Sequence, residues 1–265
     1  AWVKPLKEEL RQRKLPFQDW FVDEGTINLN ATPPEGIFYN RMSASSHTRE
    51  HRFAVEFTEP LIAWLEAHGR KVVNDRKALQ LEVRKFEQYI ALNRHGIRTP
   101  KTIAATREMV RGAARQLGQY PFILKPNRGG KGTGVQLLHS LDALDAFLKN
   151  EPEDYTLDGI YLVQEYIKPA DGYIVRNEFV NGKFYYAVRV DASGGFELCP
   201  ADNCHIGDAF CPADPGAVSV PKAKFEILVN YSNPDIEKYE AFLATNGMSI
   251  ACLLYTSPSP RDPKI

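Results

Sequence analysis

The sequence lacks the features that mark secreted, membrane-spanning and nucleic-acid-binding proteins. Four cysteines in 265 residues are too few for a disulfide-rich scaffold. No apolar run approaches the ~18 residues that a membrane span needs, and no signal peptide is visible. The 33 basic and 33 acidic side chains cancel, which leaves no basic footprint for nucleic acid. We therefore expect a cytoplasmic globular protein with two or three packed subdomains.

A glycine-rich stretch with two lysines lies between two apolar segments. Residues 122–138 read Phe-Ile-Leu-Lys-Pro-Asn-Arg-Gly-Gly-Lys-Gly-Thr-Gly-Val-Gln-Leu-Leu. Glycines let backbone N–H groups approach an anion, and lysines supply charge for a phosphate. P-loops and dinucleotide-binding loops both open into a helix, whereas a strand-like segment follows here. The sequence predicts a β-hairpin whose tip covers phosphates; a plain hairpin with solvated lysines is the alternative. The residues concerned are Lys125, Gly129, Gly130, Lys131, Gly132 and Gly134.

Three later segments predict one buried strand and a second hairpin. They are residues 161–167, 173–180 and 183–190, with Asn181-Gly182 between the last two. Asn-Gly between alternating apolar segments is the strongest short-range hairpin signal. Arg176 and Arg189 are therefore expected on paired antiparallel strands.

Five blocks of the chain together resemble the ATP-grasp superfamily, and within it the RimK-like glutamate ligases that modify ribosomal proteins and related substrates. Their order and spacing carry the resemblance, which covers roughly residues 35–250. The blocks are Glu-Val-Arg-Lys-Phe-Glu-Gln-Tyr around Lys85, Gly96 to Thr102, the loop with Lys125, Val163 to Ile167, and the hairpin with Arg176 and Arg189. The resemblance implies an α/β (α+β) ATP-grasp fold. In it, a Rossmann-like N-terminal domain precedes two α+β subdomains that grip ATP between antiparallel sheets.

The resemblance also implies a role for each block. Lys85 and Lys125 would contact phosphates, and the glycine-rich loop would cover them as a lid. Arg176 and Arg189 would be the catalytic cations that face the γ-phosphate and the acyl-phosphate. The hinge whose backbone reads the adenine edge would be Gln164, Glu165, Tyr166 and Ile167.

The activity implied by the resemblance is ATP-dependent carboxylate–amine ligation, with ATP and Mg²⁺ (or Mn²⁺) as cofactors. A small amino acid and an amine or peptide acceptor would be the partners, without nucleic acid or membrane, and a homo-oligomer is left open. Two departures put the substrate in doubt. Ile174-Val175 stands before Arg176 where the family has Asp-Ile, and Glu178 is a candidate replacement for the missing acid. Where better known members present an Arg and an Asn near the phosphates, this chain reads Gly-Phe-Glu-Leu-Cys-Pro-Ala-Asp-Asn-Cys at residues 195–204.

The end of the chain departs most from the family. Magnesium ligands of a Glu-x-Asn type are expected after residue 250, but three prolines between positions 258 and 263 cannot continue a central strand. Residues 252–265 resemble translated adapter sequence, so we interpret them as non-native; a disordered tail is the alternative. The start, Ala1 without a preceding strand, indicates a missing first strand. We therefore expect a chain shortened at both ends and inactive by itself.

Domain limits follow from these assignments. We expect an N-terminal domain at 1–78, a central subdomain at 79–160, a C-terminal subdomain at 161–251 and the tail at 252–265. Strands are predicted at 17–23, 36–41 and 70–74, a helix at 53–68, and one long helix at 77–95 closed by Gly96.

A polar cluster follows the strand predicted at 36–41. Residues 40–52 contain three arginines, two histidines, three serines and a threonine. Ligands of open α/β folds bind at such loops, so an acidic substrate could be held there. A polar loop that caps the next helix is the alternative. The candidate substrate residues are Arg41, Ser43, Ser46 and Arg49.

Four potential zinc ligands lie close together at Cys199, Cys204, His205 and Cys211. Their spacing is not that of a standard zinc pair, so ordinary reduced cysteines are the favoured interpretation and no metal residue is assigned. Two function classes stay open: an ATP-dependent ligase, and an ATP-binding domain without catalysis.

Overall fold

The computed structural model describes residues 3–23, 25–130, 132–168, 172–191 and 225–256. The helices are α1 (Lys4–Gln12), α2 (Ala54–Ala67), α3 (Arg76–Val83), α4 (Lys85–Arg94), α5 (Val110–Leu117), α6 (Leu141–Lys149) and α7 (Ile236–Thr245). The strands are β1 (Ile37–Tyr39), β2 (Lys71–Val73), β3 (Thr102–Ala105), β4 (Phe122–Pro126), β5 (Gln136–Leu138), β6 (Tyr161–Glu165), β7 (Tyr173–Val180), β8 (Lys183–Asp191), β9 (Phe225–Leu228) and β10 (Ile250–Thr256). None of these helices has the length and apolar character that crossing a bilayer requires.

The N-terminal part is a small parallel α/β unit. β1 and β2 pair in parallel, and α2 connects them as the crossover helix, as predicted. Val55 and Ile62 of α2 pack with Leu79 and Val83 of α3 in a buried cluster. The helix thus covers the strand pair with its apolar face, as a βαβ unit requires.

The strand predicted at 17–23 is wrong, because these residues form no regular structure. Trp20 is 50% exposed and Phe21 is 73% exposed. The apolar residues of this segment therefore do not mark a buried face, and its backbone joins no ladder of the described strands.

The helix predicted at 77–95 is two helices, α3 and α4, separated at Arg84. Arg84 has an extended backbone (φ −127°, ψ 93°). The break gives α4 a new N-terminus, and Asn127 accepts hydrogen bonds from two of its free N–H groups. The Asn127 side-chain oxygen accepts from the Phe86 N–H at 2.8 Å, and the Asn127 main-chain carbonyl accepts from the Lys85 N–H at 3.3 Å. Since four N–H groups at a helix start lack partners within the helix, this cap favours a helix beginning at Lys85.

The central sheet has the order β3-β6-β4-β5 and is antiparallel throughout. One face carries Phe122, Leu124 and Val163, which pack against α5 and α6 in a buried core. Because side chains alternate along a strand, Lys125 and Gln164 lie on the opposite face. The expected boundary at residue 160 precedes β6. Because β6 belongs to the central sheet, the boundary between the two sheets falls after Glu165.

The second sheet has the order β10-β7-β8-β9 and is also antiparallel. The Asn181-Gly182 turn joins β7 and β8, with φ of +53° and +69°, as a primed hairpin turn requires. Phe179 packs against Tyr239 and Phe242 of α7. The second predicted hairpin is confirmed, and Arg176 and Arg189 do lie on paired strands.

The C-terminal strand β10 includes the first residues of the expected tail. It pairs with β7 from Ile250 to Thr256. The expected boundary at residue 252 therefore falls inside a paired strand, and disorder is not observed at 252–256. Strand pairing uses backbone groups that every non-proline residue carries, so it says nothing about the origin of this sequence. Residues 257–265 lie outside the described residues.

Candidate functional site

Lys125 projects from β4 into a small polar cluster. Its Nζ donates to the Tyr89 hydroxyl at 2.7 Å and to Gln164 Oε1 at 2.8 Å. Gln164 in turn donates to Thr102 Oγ1 at 2.7 Å, which fixes its amide orientation. Both partners of the ammonium group are neutral. The cluster therefore orients the positive charge of Lys125 without cancelling it, as an anion site requires.

Lys85, at the start of α4, supplies a second cation to the same region. Its Nζ donates to the carbonyl oxygens of Gly129 at 2.5 Å and Asn127 at 3.3 Å. Burial, and then the positive charge of Lys125, lower the pKa of Lys85 to about 8. Two lysines close enough to repel each other are unfavourable unless an anion joins them. The pair is therefore suited to an anion by charge and by position.

Tyr155 holds the C-terminal end of the glycine-rich loop. The Tyr155 hydroxyl donates to the Gly134 carbonyl at 2.7 Å. Gly134 has φ of +75°, and a β-carbon there would lie 3.1 Å from Pro126 Cδ. A left-handed backbone against a proline ring favours glycine at this position. Gly129, whose carbonyl accepts from Lys85, and Gly130 and Gly132 belong to the same loop, whereas Lys131 lies outside the described residues.

The predicted hinge begins inside β6, which contains Gln164 and Glu165, and continues beyond the strand with Tyr166 and Ile167. The Glu165 N–H donates to the Lys101 carbonyl at 2.9 Å, and Glu165 Oε1 accepts from the Lys101 N–H at 2.9 Å. The Glu165 backbone donor is thus already bonded. Readout of a base edge by this segment would fall to Tyr166 and Ile167, which continue the chain beyond the strand.

The two predicted catalytic arginines lie on opposite faces of the second sheet. The register pairs Arg176 with Val188 and Val175 with Arg189. Side chains alternate along each strand, so Arg176 and Arg189 project to different sides. The expectation that both face one transferred phosphoryl group is corrected accordingly: a phosphate on one face is within direct reach of one of them.

Their contacts agree with this division. Arg176 donates to Glu178 Oε1 at 2.6 Å, so Glu178 supplies the acidic partner that Asp would supply in the family pattern. The Arg189 guanidinium lies over the Tyr173 ring at 4.6 Å and 3.6 Å from Glu226.

The polar cluster before α2 lies against the glycine-rich loop. A β-carbon at Gly130 would lie 3.5 Å from Ser45 Cβ. The Ser45 hydroxyl contacts the Ser43 hydroxyl at 3.1 Å and accepts from Arg49 at 3.1 Å. Of the predicted substrate residues, Ser43, Ser46 and Arg49 share this cluster. Arg41 is exposed and donates to the hydroxyl of its neighbour Tyr39 at 3.2 Å.

Several site residues were missed in the sequence. Asn127 and Arg128 lie between Lys125 and the glycines in the sequence. Asn127 caps α4, and Arg128 forms an ion pair with Glu56. Tyr89 follows Lys85 by one helical turn, which is the spacing of side chains on one helix face. That spacing was a usable signal, whereas the contacts of Asn127 and Arg128 depend on distant residues.

A metal centre is not apparent in the described ranges. No group of three or more His, Cys, Asp or Glu side chains converges there. The zinc alternative rested on Cys199, Cys204, His205 and Cys211, all of which lie outside the described residues.

Comparison with known proteins identifies this region. Residues 83–213 match the model of the RimK-like ATP-grasp domain. The chain contains a RimK-like ATP-grasp domain. This match spans the blocks with Lys85, Lys125 and the two arginines, so the family predicted from these blocks is confirmed.

Similar proteins support the RimK-like ATP-grasp domain. The chain is 37% identical over 105 residues to the alpha-aminoadipate–LysW ligase LysX of Sulfurisphaera tokodaii, covering 38% of this chain and 36% of that protein. It is 30% identical over 149 residues to a probable alpha-L-glutamate ligase of Teredinibacter turnerae, covering 56% and 47%. The chain thus spans less than half the length of these two relatives.

The fold comparison reaches further along the chain. The structure of the ATP-grasp ligase PsnB complexed with a minimal precursor matches with a TM-score of 0.58 at 16% identity. The match covers 96% of this chain and 81% of that one. The ATP-grasp fold predicted from the sequence is therefore confirmed.

Proposed function

We propose that this protein binds ATP between its two antiparallel sheets and serves as an ATP-dependent carboxylate–amine ligase. The observation that carries the proposal is the convergence of Lys85 and Lys125, from α4 and β4, on neutral partners under the glycine-rich loop of a RimK-like ATP-grasp domain. Two cations with neutral hydrogen-bond partners beside a glycine-rich loop suit a polyphosphate.

The proposed reaction has two steps. A substrate carboxylate attacks the γ-phosphorus of ATP, which forms an acyl-phosphate and releases ADP. An amine then attacks the acyl carbon, which forms an amide and releases phosphate. Lys85 and Lys125 would hold the phosphates in line, and the arginine on the nucleotide face would stabilise charge on the transferred group.

The amino-acid nature of the substrate is supported by relatives. One is named for ligation of alpha-aminoadipate to LysW, and others are named alpha-L-glutamate ligases. We extend this to the present chain as ligation of an amino acid, such as glutamate, to a peptide or small amine.

Magnesium is implied by the ATP-grasp fold, and it would neutralise phosphate charge when bound. The described residues do not supply a converging set of acidic ligands for it. No role in the proposed steps is therefore assigned to metal ligands of this chain.

Binding of a non-hydrolysable ATP analogue tests the proposal. Isothermal titration calorimetry should show Lys125→Ala weakening binding by about tenfold or more, since a charge-assisted contact contributes about 1.5–3 kcal/mol. Lys149→Ala, at the C-terminal end of α6, makes the same change on an exposed surface and should bind as wild type. Equal binding by Lys125→Ala and wild type would remove Lys125 from the phosphate site.

Turnover separates the ligase from a domain that only binds ATP. ADP release that depends on an added amino acid and amine would support ligation. Analogue binding without any such release, across a panel of amino acids and amines, would favour the non-catalytic alternative for this chain.

A further inference from the structure

Asn127 is buried where the central sheet meets the start of α4. It is 2% exposed and directly follows β4. Its N–H donates to the Ile160 carbonyl at 3.1 Å, which adds one hydrogen bond to the β4–β6 ladder beyond the pair Pro126–Tyr161. The backbone of Asn127 is therefore fixed by the central sheet.

The side chain of Asn127 uses both of its polar atoms. Its Oδ1 accepts from the Phe86 N–H at 2.8 Å, and its Nδ2 donates to Asp158 Oδ2 at 2.6 Å. Asp158 is held in turn, because its Oδ1 accepts from the Ile160 N–H at 3.2 Å. A backbone N–H requires an acceptor and a carboxylate requires a donor, and an amide supplies each on a separate atom. Asparagine therefore matches both neighbours, whereas a carboxylate at position 127 would face Asp158.

The carbonyl oxygen of Asn127 contacts Lys85 twice. It accepts from the Lys85 N–H at 3.3 Å and from Lys85 Nζ at 3.3 Å. The same Nζ donates to the Gly129 carbonyl at 2.5 Å. A lysine side chain is long and flexible, so contacts at both its main chain and its ammonium group restrict where its charge lies.

We propose that Asn127 is a positioning residue for the proposed phosphate site. It ties the first turn of α4 to the central sheet and thereby places Lys85 beside the glycine-rich loop. The inference rests on the proposed function and deepens it, since Asn127 acts on the nucleotide through Lys85 rather than by touching it. A shift of about 1 Å in a binding group can cost on the order of 100-fold in an enzyme, so loss of this tie should weaken nucleotide binding.

Asp158 is the second member of the tie, because it orients the amide of Asn127. Exchanging the two side chains should preserve the arrangement. In Asn127→Asp/Asp158→Asn, the carboxylate at 127 can accept from both the Phe86 N–H and the amide at 158, whose own oxygen can still accept from the Ile160 N–H. Asn127→Asp alone instead sets two carboxylates against each other.

Asn127→Leu tests the tie in the full chain, because it removes both side-chain hydrogen bonds at similar volume. Calorimetric titration with a non-hydrolysable ATP analogue should show affinity lowered about tenfold, and hydrogen exchange of the Phe86 amide should become faster. Asn28→Leu is the matched control: it removes an exposed side-chain oxygen that accepts from the Asn30 N–H at 3.0 Å, and it should bind as wild type. A purely structural role would lower the unfolding temperature and leave the affinity of the folded protein unchanged, and that result would overturn the inference.

The exchanged pair keeps the test decisive if Asn127→Leu does not fold. Asn127→Asp alone should bind the analogue about tenfold more weakly than wild type, and the exchanged pair should recover to within about threefold and protect the Phe86 amide again. An exchanged pair that binds no more tightly than Asn127→Asp overturns the inference. Absence of analogue binding by wild type overturns the proposed function as well, whereas wild-type binding that none of these changes affects overturns the inference alone.

Discussion

Lys125 Nζ and Gln164 Oε1 lie 2.8 Å apart on one face of the central sheet, on the neighbouring strands β4 and β6. Gln164 is buried, and its amide spans from Lys125 to Thr102. This side chain orients the lysine and leaves its charge available. The amide, rather than a carboxylate, at position 164 is therefore central to the proposed phosphate site.

The first prediction follows from that amide. Gln164→Glu is nearly isosteric, but its carboxylate would form an ion pair with Lys125 and compete with phosphate. We expect affinity for an ATP analogue to fall about tenfold or more, while thermal stability changes little. Calorimetric titration measures the first quantity and thermal unfolding the second. Gln116→Glu, on the exposed side of α5, is the matched control, and equal affinity of Gln164→Glu and wild type would contradict the prediction.

A second prediction concerns pH. The proposed phosphate contact requires a charged Lys85, whose pKa in the free protein is lowered to about 8 by burial and by Lys125. Affinity for the ATP analogue should therefore fall as the pH rises through that value. Lys85→Arg keeps its charge across this range and should flatten the profile. A profile equally steep in Lys85→Arg would assign the effect to another group.

The contribution of Lys85 to folding stability should depend on pH in the opposite direction to its contribution to binding. The unfolded chain keeps this lysine protonated up to its ordinary pKa of 10.5, whereas the folded chain loses the proton near 8. Between these values the unfolded state binds more protons, so the contribution of Lys85 to stability rises with pH. Denaturant unfolding of wild type and Lys85→Arg at several pH values isolates this contribution. A contribution that falls with pH would contradict the assigned shift.

A third prediction tests the geometry of the loop. Gly134→Ala places a side chain on a backbone with φ of +75°, 3.3 Å from Tyr155 Cε2. We expect the free energy of unfolding to drop by about 1–2 kcal/mol or more. The matched control is Gly112→Ala within α5, where nothing lies within 4 Å of the new β-carbon. That change should stabilise by roughly 0.5–1 kcal/mol, since glycine is unfavourable in a helix. A neutral Gly134→Ala would contradict the loop conformation.

The fourth prediction separates the arginines of the second sheet. Since Arg176 and Arg189 face opposite sides, Arg176→Gln and Arg189→Gln should have unequal effects on affinity for an ATP analogue. Replacing the arginine on the nucleotide face should lower the affinity about tenfold or more, and replacing the other should lower it less than about twofold. Arg111→Gln on the surface of α5 is the control. Comparable large losses in both variants would show that the register-based assignment is wrong.

Local sequence signals were sufficient wherever a short segment decides its own structure. Asn181-Gly182 specified the β7–β8 turn, and Ser140 capped α6 by accepting from the Ala143 N–H at 3.1 Å. The glycine-rich loop between two strands was also correct, because glycine content and apolar alternation act over a few residues. These features, with the order of the five blocks, were enough to indicate the family.

Signals failed where a distant partner decides the outcome. The helix continuing through Arg84 is broken because Asn127, 42 residues after Lys85, caps a new helix start. The segment at 17–23 has the aromatic and apolar residues of a strand but pairs with no described strand. The local pattern does not reveal that Asn127 caps a helix start, or that residues 17–23 have no strand to pair with.

The sequence by itself determined the family, the hairpins and the two lysines that we propose as phosphate contacts, because these follow from residue type and short-range spacing. The tertiary structure decided which side chains meet. Strand register put Arg176 and Arg189 on opposite faces, and packing of the loop before α2 brought Ser45 against Gly130. A side chain alternates with every residue along a strand, so only the pairing of β7 and β8, with its shift between Glu178 and Phe179, could fix those faces.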